Sequence, residues 1–85
     1  MPTLWERQDY DTKASYSAFV DYCEMGVKRS LHGLHEWYVQ QISNKPPTKK
    51  RYTLDTWSLK YNWQERVDAW DEWQLAERTA AQQAA

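Results

Sequence analysis

Residues 49–71 read KKRYTLDTWSLKYNWQERVDAWD, and the spacing of apolar side chains in this stretch decides the fold. Leu54, Trp57 and Tyr61 recur three and four residues apart, which places them on one face of a helix. The pattern predicts a short helix with Thr53 as its N-cap, ending at Asn62. Asn62 and Glu65 make an N-x-x-E capping pair that opens a further helix, with Trp63, Val67 and Trp70 turned inward. Helical geometry leaves Asp55, Thr56, Leu59 and Lys60 on the outward face of the first of these two helices. Lys49, Lys50, Arg51 and Tyr52 lie immediately before it.

Upstream, Tyr16, Val20, Cys23 and Val27 recur at i, i+4, i+7 and i+11, so a helix is expected from near Asp11–Thr12 to a cap at Gly26. Ser30 then looks like an N-cap, followed by Leu31, Leu34, Tyr38 and Ile42 on one face. That helix should end near Ile42, because the following SNKPPT contains two prolines. No segment reads as a strand. The expected class is all-α, a small helical bundle over residues 1–75. Residues 76–85 form an Ala-rich tail with no face to bury, either frayed or the start of an oligomerisation segment.

Composition agrees with a folded domain of unusual core. Ile, Leu, Val and Phe are 12 of 85 residues, a share that goes with disorder when net charge is high. Here the net charge is −1, and six Trp with six Tyr supply the missing apolar surface. Each buried ring removes roughly 150–250 Å² from water, so a few replace many aliphatics. No stretch approaches the length of a membrane span, and MPTLWERQD lacks the apolar run of a secretory signal. With Cys23 as its single cysteine, the chain reads as cytosolic. Two glycines leave no phosphate-cradling loop.

The near-neutral total hides an uneven layout. Residues 1–27 sum to −3, residues 28–66 to +5 and residues 67–85 to −3. A polyanion meets that local positive field, not the total. A short helix with polar outward side chains and cations at its start suits the major groove of DNA. Base edges need hydrogen-bonding groups and the phosphates on the rim need Lys and Arg. Lys49, Lys50, Arg51 and Lys60 are therefore expected to hold phosphates, while Tyr52, Thr53, Asp55, Thr56 and Leu59 face the groove.

These residues also carry a resemblance. WERQ (5–8), Tyr16-x-x-Phe19-x-x-Tyr22-x-x-x-Gly26, Arg29-Ser30-Leu31, the run from Trp57 to Arg66 and Ala69-Trp70-Asp71 together resemble a phage and prophage family. Its members look like helix-turn-helix DNA-binding proteins among the small terminase subunits. The resemblance covers roughly residues 5–75, and Trp57–Asp71 is its most specific part. It implies a trihelical, homeodomain-like core with a helix-turn-helix, no catalytic residues, and recognition of double-stranded phage DNA on behalf of a large terminase subunit. It further implies homo-oligomeric rings in the cytoplasm of the infected bacterial host. Two departures stand out: ISNKPPTKKRY lengthens the link between the two motif helices, and Leu59 occupies a position where relatives tend to carry Arg or Lys. Leu59 either touches a thymine methyl or buries against a partner subunit.

Competing readings are weaker. Trp57, Trp63 and Trp70 fall at core spacing, and Trp5 should fold back on the bundle, while Trp37 and Trp73 mark candidate subunit contacts. Arg66 and Asp71 read as structural ion-pair or capping residues. His32, His35 and Glu36 fall short of a closed zinc site, which wants four ligands. Ser30 with either histidine lacks an orienting acid, and Asp68, Asp71 and Glu72 do not make a metal-nuclease cluster. No cofactor, metal or enzymatic activity is expected. A transcriptional regulator on the same fold, and a protein-interaction module of the packaging machinery, are the alternatives.

Overall fold

Thr12 and Ser15 start the first helix by satisfying each other's backbone. The Thr12 hydroxyl accepts from the Ser15 amide at 3.0 Å, and Ser15 Oγ accepts from the Thr12 amide at 3.0 Å. This computed structural model describes residues 3–41 and 45–84. Helix α1 spans Lys13–Glu24 and stops where Gly26 takes φ +76°, a left-handed conformation that glycine adopts without a Cβ penalty. A single 3₁₀ turn, Gly26–Lys28, leads to α2, Leu31–Val39, whose N-cap Ser30 accepts from the Gly33 amide at 2.9 Å. Gly33 permits that close turn: a Cβ there would sit 3.0 Å from the Met25 methyl and 3.1 Å from Ser30 Oγ.

Helix α3 spans Arg51–Lys60 and α4 spans Trp63–Ala84. Between them Asn62 adopts φ +54°, which asparagine tolerates better than most residues. Its carbonyl accepts from the Arg66 amide at 3.1 Å, so Asn62 serves the junction through its backbone. The described residues are all helical or connecting, and α2 packs on α3, α4 on α1 and α3, and α1 on α2. This is an all-α bundle. At 22 residues α4 runs roughly 33 Å, and its C-terminal half is exposed, extending the molecule to 42 Å.

The core is aromatic. Trp63 is 1% exposed, its ring centroid 5.9 Å from that of Phe19 and 5.4 Å from that of Tyr22. Tyr38, Tyr61, Leu34, Leu54, Val67, Ala18 and Cys23 complete it, with Trp57 and Trp70 packed against its edge. Of the stripe predicted for α1, Cys23 is buried and Tyr16 packs against the core, whereas Val20 and Val27 are not part of it. The buried face is Ser15, Ala18, Phe19, Tyr22 and Cys23, and Val27 is fully exposed because the helix ends at Glu24. The predicted end of α2 at Ile42 lies outside the described residues, and α2 itself closes at Val39.

Two arginines tie distant segments together. Arg66, 1% exposed, donates to both carboxylate oxygens of Asp11 and to the carbonyls of Leu4 and Glu6, with its guanidinium 4.4 Å above the Phe19 ring. This pins residues 4–11 onto α4. Arg29 donates to the Tyr22 and Cys23 carbonyls at the end of α1 and to both oxygens of Asp71 on α4. It thereby supplies acceptors' partners that a helix C-terminus otherwise lacks. Arg66 and Asp71 are structural ion-pair residues, as expected, but with different partners.

Candidate nucleic-acid interface

Lys49 and Lys50 are exposed at the end of the Pro-containing link, and the chain turns into α3 one residue later. Lys50 occupies the N-cap with extended backbone, and its amide donates to Thr48 Oγ1 at 3.1 Å. Helix α3 thus begins two residues before the predicted cap. Thr53 is not an N-cap: it sits half-buried in the first turn, on the flank of the helix. Among the described residues no side chain caps α3; Thr48 Oγ1 accepts from the Lys50 amide in the link that precedes it.

The inward set of α3 is as the spacing requires, with Leu54 fully buried, Tyr61 6% exposed just past the helix end, and Trp57 half-buried against the core. This anchoring turns the opposite face to solvent. Tyr52 is 80% and Leu59 82% exposed, with Thr56, Arg51 and Lys60 also exposed. Asp55 is half-buried and engaged: Arg51 Nε donates to its Oδ1 at 3.0 Å, one helical turn away. Lys60 Nζ lies 5.4 Å from the Tyr61 ring centroid, which steadies the cation at the end of the helix. Lys49, Lys50, Arg51, Tyr52, Thr56, Leu59 and Lys60 therefore share one open surface, Asp55 is neutralised beside it, and Thr53 stands at its edge.

Electrostatics concentrate at the start of α3. Residues 45–60 carry five cations against the single carboxylate of Asp55, and the helix N-terminus adds its partial positive charge. Lys45, exposed beside Pro46, belongs to the same basic stretch although it is not among the expected site residues. The positive sum over residues 28–66 was the signal that includes it. Behind Leu59 the polarity reverses, where a shallow groove of about 480 Å³ is bounded by Glu65 and Asp68. The exposed cations thus lie along Lys45–Arg51 and at Lys60.

The remaining candidates serve other ends. Trp73 stacks on Trp5 at 5.4 Å, so both help hold the N-terminal segment on α4. Trp37 stays 49% exposed in a groove beside Asp21 and the Pro46–Pro47 wall. His32 Nε2 lies 3.5 Å from Glu36 on the exposed side of α2. Burial pushes the pKa of the Cys23 thiol up to about 12, against the lowering pull of the Arg29 guanidinium, and leaves it an unreactive core residue. No helix among the described residues is long and apolar enough to cross a membrane. Compared with known proteins, the chain matches no family model, no curated protein and no solved structure.

Proposed function

We propose that the chain is a duplex DNA-binding domain that reads the major groove with α3 in a helix-turn-helix arrangement with α2. The observation that carries this reading is the solvent face of α3, where Tyr52, Thr56 and Leu59 lie between the cations of Lys49–Arg51 and Lys60. Polar and apolar groups on a helix held rigidly by its other face can meet base edges, and flanking cations can hold phosphates.

The resemblance of Trp57–Asp71 and the upstream motifs to phage small terminase subunits supplies the biological setting. In that setting the domain selects viral DNA for packaging by a large terminase subunit, inside the cytoplasm of the infected host. One such domain offers a small interface, so useful affinity comes from several linked copies. The exposed second half of α4, with Leu75 63% exposed, supports self-association through that helix.

Titration of a fluorescent duplex at low salt tests the reading. Wild type is expected to bind, and a Lys49→Ala/Lys50→Ala/Arg51→Ala triple variant to bind much more weakly while keeping its helical signal. Equal affinity of the two proteins removes this surface from the site.

A further inference from the structure

We propose that the outward face of α3 reads thymine, with Tyr52 and Leu59 each packing on a thymine C5-methyl group in the major groove. The inference rests on the duplex-DNA reading above and names the bases that this face selects. Tyr52 and Leu59 are 80% and 82% exposed, and they lie seven residues apart, so the same side of the helix carries both. Seven residues of helix rise roughly 10.5 Å, close to three base-pair steps of about 3.4 Å. An α-helix lying along the groove therefore presents two apolar contacts in step with the bases.

A leucine offers nothing to a phosphate or to a polar base edge. The C5-methyl of thymine is the one apolar group that the bases of unmodified DNA present in the major groove. Charge decides between DNA and an apolar protein surface as the occupant. Lys49, Lys50, Arg51 and Lys60 are exposed around the face. A polyanion pairs them, whereas an apolar partner covers them without compensation. Between the two apolar contacts Thr56 offers a hydroxyl, and Asp55, held by Arg51, offers a carboxylate oxygen to a base amino group.

The experiment selects duplexes from a randomised 20-base-pair pool with the full chain, then resynthesises the enriched duplex with deoxyuridine in place of individual thymidines. The enriched sites are expected to carry two thymines about three steps apart. Loss of either methyl weakens wild type about fourfold, the value of one methyl taken out of water. Leu59→Ala binds the thymine and uracil forms of one position equally, and Tyr52→Ala does the same at the other. Both side chains are exposed, so circular dichroism of the variants matches wild type. Wild type that binds duplex with undiminished affinity after uracil replacement overturns the thymine inference and leaves the DNA reading standing. Binding to no duplex overturns both. A Leu59→Ala variant that loses self-association while keeping its discrimination between thymine and uracil also overturns it, and assigns Leu59 to a second copy.

Discussion

Arg66 and Asp11, fifty-five positions apart, meet in the core as a two-pronged ion pair with N–O distances of 3.0 and 2.8 Å and both side chains 1% exposed. The pair is sustainable because the other guanidinium donors reach the Leu4 and Glu6 carbonyls, at 2.7 and 3.1 Å. A buried charge left without its partner is far more costly than the pair itself is stabilising. Asp11→Ala is therefore predicted to destabilise by about 3–5 kcal/mol. For a domain of this size, with total stability of about 4–12 kcal/mol, that removes a large fraction. Urea denaturation followed by circular dichroism reads the shift, and a loss below about 1 kcal/mol contradicts the assigned role.

Arg29 and Asp71 make the second long-range pair, and here the two partners are unequal. The Asp71 side chain is 47% exposed and that of Arg29 only 11%. Asp71→Ala removes a solvent-screened ion pair and is predicted to cost about 0.5–1 kcal/mol. Arg29→Ala also strips the Tyr22 and Cys23 carbonyls of their donors and removes a cation set 5.8 Å from the Tyr22 ring centroid and 6.0 Å from that of Trp70. Its predicted cost is about 2–3 kcal/mol. The same denaturation series checks the order, and equal costs would show that the carbonyl contacts contribute nothing.

High pH is predicted to destabilise the bundle. Burial pushes the Cys23 thiol from its usual 9.0 up to about 12. Burial and then the hydrogen bond to Asp21 raise the Tyr38 phenol above its ordinary 10.0, and burial raises those of Tyr16 and Tyr22. Each group holds its proton longer in the folded chain than in the unfolded one. Folding stability is thus intact below about pH 9 and falls above it, by up to about 1.4 kcal/mol per pH unit for the more deeply buried Cys23 and Tyr38 and by less for Tyr16 and Tyr22, whose phenols solvent screens. Thermal melts from pH 8 to 11 measure the decline, and Cys23→Ala shifts its onset upward. A flat melting temperature across that range contradicts the burial of these groups.

Much of this architecture was legible in local sequence. Thr12, Ser30 and Gly26 announce helix ends because capping depends on a few neighbouring backbone groups. The α3 face was legible because Leu54, Trp57 and Tyr61 are large and regularly spaced. The α1 face was misread because hydropathy favours Val27 and overlooks Ser15 and Ala18, small residues that are buried there. The start of α3 was misplaced because Thr53 looks like a cap, while the helix begins at Arg51 with no side-chain cap among the described residues. Neither arginine pair was legible, since only the folded chain brings Asp11 to Arg66 or Arg29 to Asp71. The candidate surface followed from charge layout and helical phase together, with Thr53 the residue that the earlier helix start moves to its flank.

Self-association through the second half of α4 is expected to appear in light scattering as a mass above the 10.2 kDa of one chain. Leu75→Glu, at a 63% exposed position, is predicted to shift that mass toward the monomer without loss of helical signal. A wild-type mass of one chain at all concentrations contradicts this assignment.

The central claim is that Lys49, Lys50, Arg51 and Lys60 hold DNA phosphates around the outward face of α3. Its most direct test is the salt dependence of duplex binding across the range from low to physiological ionic strength. With about four phosphate contacts, the logarithm of affinity is predicted to fall against the logarithm of salt with a slope near −3.6, and near −0.9 once Lys49, Lys50 and Arg51 are alanine. Wild type that binds no duplex at low salt, or binds with a slope near zero, contradicts the claim.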